Sequence, residues 1–260
     1  MPKLSRRHPA AIALLLMLGL FVTGTAYSAV APKDAEASVT SANNVEKGKK
    51  LFTANCANCH GANGLGVQDN GPSLAGVGAA SVDFQMGTGR MPMAAPDVQA
   101  PAGGQVKFSE EEISDIGAYV ATLGAGPSVP EAELTDGSKG DPGNGGAIFR
   151  VNCAMCHSSA GAGGALTRGK DAPPLAGSSG KHIYEAMETG PQSMPVFNDA
   201  NLDPEAKRDV IAYIEAQQEA GNPGGNPLGG YGPVPEGLFA WTIGLGLLVG
   251  FAVWLGQKSA

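Results

Sequence analysis

All four cysteines of this chain fall in two windows of one pattern: N-C-A-N-C-H-G-A-N-G over residues 55–64 and N-C-A-M-C-H-S-S-A-G over 152–161. Each window holds two thiols three residues apart with an imidazole directly after the second: Cys56, Cys59 and His60, then Cys153, Cys156 and His157. Three chemistries use such residues. A Cys pair can act as a redox dithiol in an oxidising compartment. Two pairs with their histidines can hold a zinc ion. Two thiols can also add across the vinyl groups of haem while the adjacent His ligates its iron. Spacing separates the three. A redox dithiol does not need the His and sits in a βαβ pattern, which is absent here. A zinc site would draw both pairs together, yet each pair belongs to its own repeat. Covalent haem attachment accounts for all three residues in both copies and for the absence of other cysteines, so the pattern calls for two covalently bound haem c groups.

The sixth iron ligand decides whether such a haem carries electrons or binds small molecules. A thioether raises the potential and closes the iron to outside ligands. Met194 in S-M-P-V-F is the candidate in the second copy, with Met187 and His182 as rivals. Its Met-Pro pair matches Met91-Pro92 in the first copy, where Met86 and Met93 compete. His182, in G-K-H-I-Y, has no counterpart in the first copy and reads as a surface residue. Met155, inside the second motif, reads as packing on the haem edge.

The elements around these residues recur too. G-K-K-L-F-T-A-N-C (48–56) returns as G-G-A-I-F-R-V-N-C (145–153), at an offset of 97 residues. G-P-S-L-A-G (71–76) matches A-P-P-L-A-G (172–177), and I-S-D-I-G-A-Y-V (113–120) echoes R-D-V-I-A-Y-I (208–214). This is a tandem duplication, with each copy opening and closing on a helix. Ser109 with Glu112 forms a capping box ahead of an apolar stripe at Ile113, Ile116, Val120 and Leu123. Asp203 is an N-cap with Pro204 at the first helical position, ahead of Val210, Ile211 and Ile214. The opening helices are expected around 45–55 and 145–152. No alternating run is long enough to argue for a sheet, so the fold class is all-α. Much of the chain's 39 Gly and 19 Pro lies in stretches that read as linkers at 125–140 and 221–237, and in a loose insertion at 94–104. A repeat of some 80 residues is a poor core by itself, and a covalently held haem would supply the missing staple.

The two ends differ from the middle. Residues 1–30 run from Lys3, Arg6 and Arg7 through an apolar stretch to small polar residues, the order of a signal peptide, with a signal anchor as the alternative. Cleavage would fall near 28–31. Residues 238–256 carry no charge, have Trp241 and Trp254 near their ends, and read as a transmembrane helix. Four of the 17 basic residues flank these end segments, leaving 13 basic and all 24 acidic residues in 31–237, a balance of −11. The positive ends stay cytoplasmic and the acidic middle is exported. Such an acidic region argues against nucleic acid and suits basic or neutral protein partners.

On these motifs, each copy resembles a class I cytochrome c domain, at 44–124 and 141–220. The resemblance implies that the carbonyls of Pro72 and Pro173, in P-S-L-A-G and P-P-L-A-G, accept a hydrogen bond from His60 and His157. It also implies that Gly48 and Phe52 pack against Tyr119, and Gly145 and Phe149 against Tyr213. With its C-terminal helix the layout is similar to the dihaem cytochrome cc subunit of actinobacterial cytochrome bc complexes, the menaquinol:cytochrome c reductases. Membership would imply relay of electrons from the Rieske iron–sulfur subunit to cytochrome c oxidase, beside a cytochrome b subunit, with no catalytic site in this chain. It would place the haem domains outside the cell membrane and the C-terminus in the cytoplasm. A stand-alone membrane-anchored carrier is the alternative, and a dihaem peroxidase or sulfur-compound oxidase would need one open iron position.

Overall fold

In a computed structural model, residues 9–30, 42–221, 226, 228–230 and 233–258 are described. Residues 1–8, 31–41 and part of the Pro/Gly stretch before the C-terminal helix lie outside them, and with them the far side of the expected cleavage near 28–31. The apolar N-terminal segment forms helix α1 (Pro9–Val30), which belongs to a separate structural unit.

The first copy consists of α2 (Ala42–Asn55), a one-turn helix α3 (Ala57–His60), α4 (Gly78–Gly87) and α5 (Glu110–Ala121). The second repeats the plan with α7 (Pro142–Asn152), α8 (Ala154–His157), α9 (Gly180–Thr189) and α10 (Pro204–Ala220). The caps fall where the sequence puts them. Ser109 and Glu112 satisfy each other's backbone N–H at the start of α5. The Asp203 carboxylate accepts from Ala206 N–H, with Pro204 opening α10. These local bonds satisfy backbone donors that a helix start leaves over.

In each copy the first helix crosses the last at a glycine. A Cβ on Gly48 would lie 1.8 Å from the Asp115 carbonyl oxygen, and one on Gly145 would lie 1.8 Å from that of Asp209. Only a bare Cα permits so close a crossing, which brings the aromatic side chains together. Phe52 and Tyr119 have ring centroids 5.1 Å apart, and Phe149 and Tyr213 5.2 Å, both pairs tilted. One apolar cluster forms around Phe52, Val82, Met86, Ile116 and Val120, and a second around Phe149, Ile183, Met187, Val210 and Ile211.

Part of the stretch expected as a linker between the copies is ordered. Helix α6 (Ala132–Thr135) and a 3-10 turn (Gly137–Lys139) pack on α10, because Leu134 reaches the second apolar cluster. The second copy also holds a four-residue insertion. Where the first closes its loop with a single Val67–Gly71 bridge, the second pairs β1 (Gly164–Ala165) with β2 (Asp171–Ala172).

The two copies touch. Helix α4 packs against α9, with Phe84 and His182 edge to face at 6.2 Å between centroids. His182, expected at the surface, is therefore half-buried between the copies, turned toward α4. The insertion at 94–104 is pinned as well: the Gln99 amide donates to the Asp171 carbonyl at 2.8 Å and accepts from Asp171 N–H at 2.9 Å. At this junction Glu185 is fully buried. Burial first, then the Asp83 carboxyl, pushes its own carboxyl up to about 9.

The C-terminal helix runs longer than the sequence suggested. Helix α11 (Pro233–Phe239), a π-helical turn (Ala240–Leu245) and α12 (Gly246–Lys258) make a continuous span from Val234 to Lys258. Its mean hydropathy is 2.1 and none of its apolar window is buried in the protein. At 1.5 Å per residue its 25 residues reach about 37 Å, enough to cross a hydrocarbon core of about 30 Å. Among the described residues it is the one helix long and apolar enough to do so.

Candidate haem sites

The short helix α3 exists because Cys56 ends α2 and the chain turns at once into one further helical turn, with the Cys59 and His60 N–H groups bonding back to the Cys56 carbonyl. Cys59 and His60 therefore sit one turn from Cys56. Helix α8 does the same for Cys153, Cys156 and His157. All four cysteines are free thiols and half-buried. Burial, then the neighbouring thiol of the same pair, pushes Cys56 and Cys153 up to about 11. A reactive dithiol needs the opposite, a lowered pKa that yields thiolate. Cys56 packs on the first apolar cluster and Cys153 on the second, so the pairs serve separate sites.

Each histidine is held by a proline carbonyl. His60 Nδ1 lies 2.8 Å from the Pro72 oxygen, and His157 Nδ1 lies 3.0 Å from that of Pro173. With Nδ1–H donating to a carbonyl the ring is fixed in one tautomer, and Nε2 carries the lone pair a metal requires. Burial lowers the pKa of His157, only partly offset by the Pro173 bond, which keeps the imidazole neutral. The loops that deliver these prolines depend on two glycines absent from the sequence-based site. Gly66 has φ +85° and a Cβ there would meet Ser73 N at 2.8 Å; Gly163 has φ +79° and a Cβ would meet the Ala172 oxygen at 2.4 Å. Gly66 N–H bonds to the His60 carbonyl and Gly163 N–H to that of His157. The signal was available: Gly64 and Gly66 recur as Gly161 and Gly163 at the same offset of 97 that relates the cysteines.

The methionines divide into two kinds. Met86 and Met187 are buried on α4 and α9 and belong to the packed cores. Met91 and Met194 remain half-exposed, in loops, and pack on the cluster that also carries the Cys and Leu of their own site: Cys56 and Leu74, then Cys153 and Leu175. Met93 is half-exposed beyond Met91. Met155 is 90% exposed to the protein-free side of α8, the side from which a haem edge could reach it. In each copy two thiols, an imidazole with Nε2 available and a thioether on the same apolar cluster fit a covalently attached haem. When bound, haem supplies a one-electron iron couple whose potential its axial ligands and surroundings set.

The helices and these sites define a protein of two cytochrome c domains with a membrane helix. Residues 45–124 match the cytochrome c family model, and 140–214 match that of cytochrome c oxidase, cbb3-type, subunit III. A protein of Mycobacterium tuberculosis described as cytochrome bc1 complex cytochrome c subunit is 45% identical over 262 residues, 99% of this chain and 93% of its own length. Proteins of the same description from Mycobacterium leprae and Corynebacterium diphtheriae are 45% and 41% identical, over 95% and 97% of this chain and 87% and 95% of their own lengths. This chain belongs to the family of cytochrome bc1 complex cytochrome c subunits. It is thus an electron-transfer component of a respiratory complex, with haem c-binding domains, a C-terminal helix fit to anchor it in the membrane, and the other subunits of that complex as its partners.

Proposed function

We propose that the chain is a two-haem relay between the Rieske iron–sulfur subunit of its complex and cytochrome c oxidase, beside the cytochrome b subunit. In this reading residues 44–124 and 141–220 hold one haem c each, joined by 125–140 and tethered through 221–237. Cys56 and Cys59 attach the first haem, with His60 and Met91 as axial ligands. Cys153 and Cys156 attach the second, with His157 and Met194. Pro72 and Pro173 orient the two imidazoles through their carbonyls. The haem domains face the extracytoplasmic side, the C-terminus lies in the cytoplasm, and residues 1–30 serve export as a signal peptide or anchor.

The observation that carries the proposal is the duplicated His–Pro hydrogen bond, 2.8 Å in one copy and 3.0 Å in the other, in domains whose α4 and α9 are packed together. Two equivalent closed sites held side by side suit electron passage, whereas an oxidase or peroxidase would need the sites to differ at the iron. The chain's own contribution is positional: it orients each imidazole, offers each thioether, shields the site with apolar side chains and keeps the two copies adjacent. The test is purification through a tag on this chain in mild detergent. Co-isolation of cytochrome b, the Rieske protein and the oxidase, with both c-type haems reduced by added quinol, is the expected result. A chain isolated alone with fully reducible haems would be a stand-alone carrier, and ready carbon monoxide binding to the reduced chain would point to an enzyme.

A further inference from the structure

The junction between the two copies collects three potential metal donors that the haem sites do not use. Asp83 comes from α4, while His182 and Glu185 come from α9, three residues apart and so on one face of that helix. Their donor atoms all lie within 4.8 Å of one another, and His182 Nε2 stands 3.9 Å from Asp83 Oδ2. Glu185 is fully buried, and apart from the Asp83 carboxyl, which can bond to it only while one of the two holds a proton, its oxygens meet no hydrogen-bond partner. A buried carboxyl either holds its proton or, once ionised, needs a cation beside it, and a metal ion can take the proton's place. Space for the imidazole is built in: a Cβ on Gly87, one turn beyond Asp83, would lie 2.9 Å from His182 Nε2.

We propose that Asp83, His182 and Glu185 bind one divalent transition-metal ion of the Zn2+ class across the junction of the two cytochrome c domains. One imidazole nitrogen with two carboxylate oxygens is a donor set for borderline metals, and three protein ligands leave a fourth position for water. Zinc bonds of about 2.0–2.2 Å in a tetrahedron require donors roughly 3.4 Å apart, so side-chain rotation of under about 1.5 Å closes the site. Lys181 is the competitor. Its Nζ lies 2.6 Å from Asp83 Oδ2, and the side chain is half-exposed, so it can swing into solvent when a dication takes its place. A bound ion would tie α4 to α9 and fix how the two domains sit together. The inference is independent of which redox partners the chain serves.

The test uses the full-length, haem-loaded chain in detergent, stripped with EDTA and dialysed against Zn2+, with zinc and iron counted by elemental mass spectrometry. One saturable zinc per chain is expected. Glu185→Gln and His182→Gln should each weaken binding about tenfold or more, and Lys181→Met should tighten it. Haem spectra and thermal melts check that each variant is folded. If Glu185→Gln fails to fold, His182→Gln, whose side chain is 23% exposed against the full burial of Glu185, carries the comparison. Wild-type protein without saturable zinc, or zinc retained equally by folded Glu185→Gln or His182→Gln, would overturn the proposal.

Discussion

Replacing Gly48 by alanine sets two effects against each other, and the structure decides which wins. Alanine is the better helix former by about 0.8–1.0 kcal/mol, so propensity alone makes the change stabilising. The new Cβ, however, would lie 1.8 Å from the Asp115 carbonyl, where 3.4 Å is the near limit of ordinary contact. The obstruction is backbone, so α2 and α5 must part by about 1.6 Å. A gap of 0.5–1 Å already forfeits a quarter to a half of a dispersion contact, and Phe52, Tyr119, Ile116 and Val120 all pack in that cluster. Overpacking of this kind costs about 3 kcal/mol, which after the propensity gain leaves about 2 kcal/mol of net destabilisation. Gly117→Ala on α5 is the matched control, because its Cβ would meet Ala79 at an ordinary 3.5 Å. Hydrogen exchange followed by mass spectrometry localises the effect. Amides of α2 and α5 should exchange about 30-fold faster in Gly48→Ala, those of α7 and α10 should be unchanged, and Gly117→Ala should exchange no faster than wild type. Equal protection in the two variants would refute the close crossing as the basis of this core.

Met91→Ala should lower the midpoint potential of one haem, while Met86→Ala should leave both potentials in place and destabilise its domain by about 2–5 kcal/mol; redox titration and chemical unfolding of both variants check the division. Lys207 is fully buried and meets Glu188 and, at 2.7 Å, Asp199. Because Asp199 is largely exposed and can rehydrate, Lys207→Met should cost about 2–3 kcal/mol, below the 3–5 typical of a fully buried pair, as read by urea unfolding. Ending the chain after Ala220 should release haem-loaded protein from membranes into the wash; retention would mean that residues 1–30 anchor it.

What the sequence disclosed was what local chemistry governs. The Cys-x-x-Cys-His pairs, the Ser109–Glu112 box and the Asp203–Pro204 start each act within a few residues, so their types and spacing stated them openly. The helix-crossing glycines and the prolines opposite the histidines were legible through resemblance to a family, since nothing within one segment says which distant carbonyl an imidazole will meet. The junction of the two copies was not legible at all. His182 read as a surface residue because it has no echo in the first copy, yet that is why it can face α4 across the pseudo-repeat. Lys207 shares the face of α10 that carries Val210, Ile211 and Ile214, so the pattern accounts for its burial, but only the chain reversal that brings Glu188 and Asp199 to it supplies its charge partners.

The most direct test of the two-site account is the number of c-type haems per chain, measured by pyridine haemochrome on the purified full-length protein against its amino-acid content. Two haems per chain are expected, both lost from their respective sites in Cys56→Ala/Cys59→Ala and Cys153→Ala/Cys156→Ala variants. A single haem in the wild type, untouched by one of the two double replacements, would contradict it.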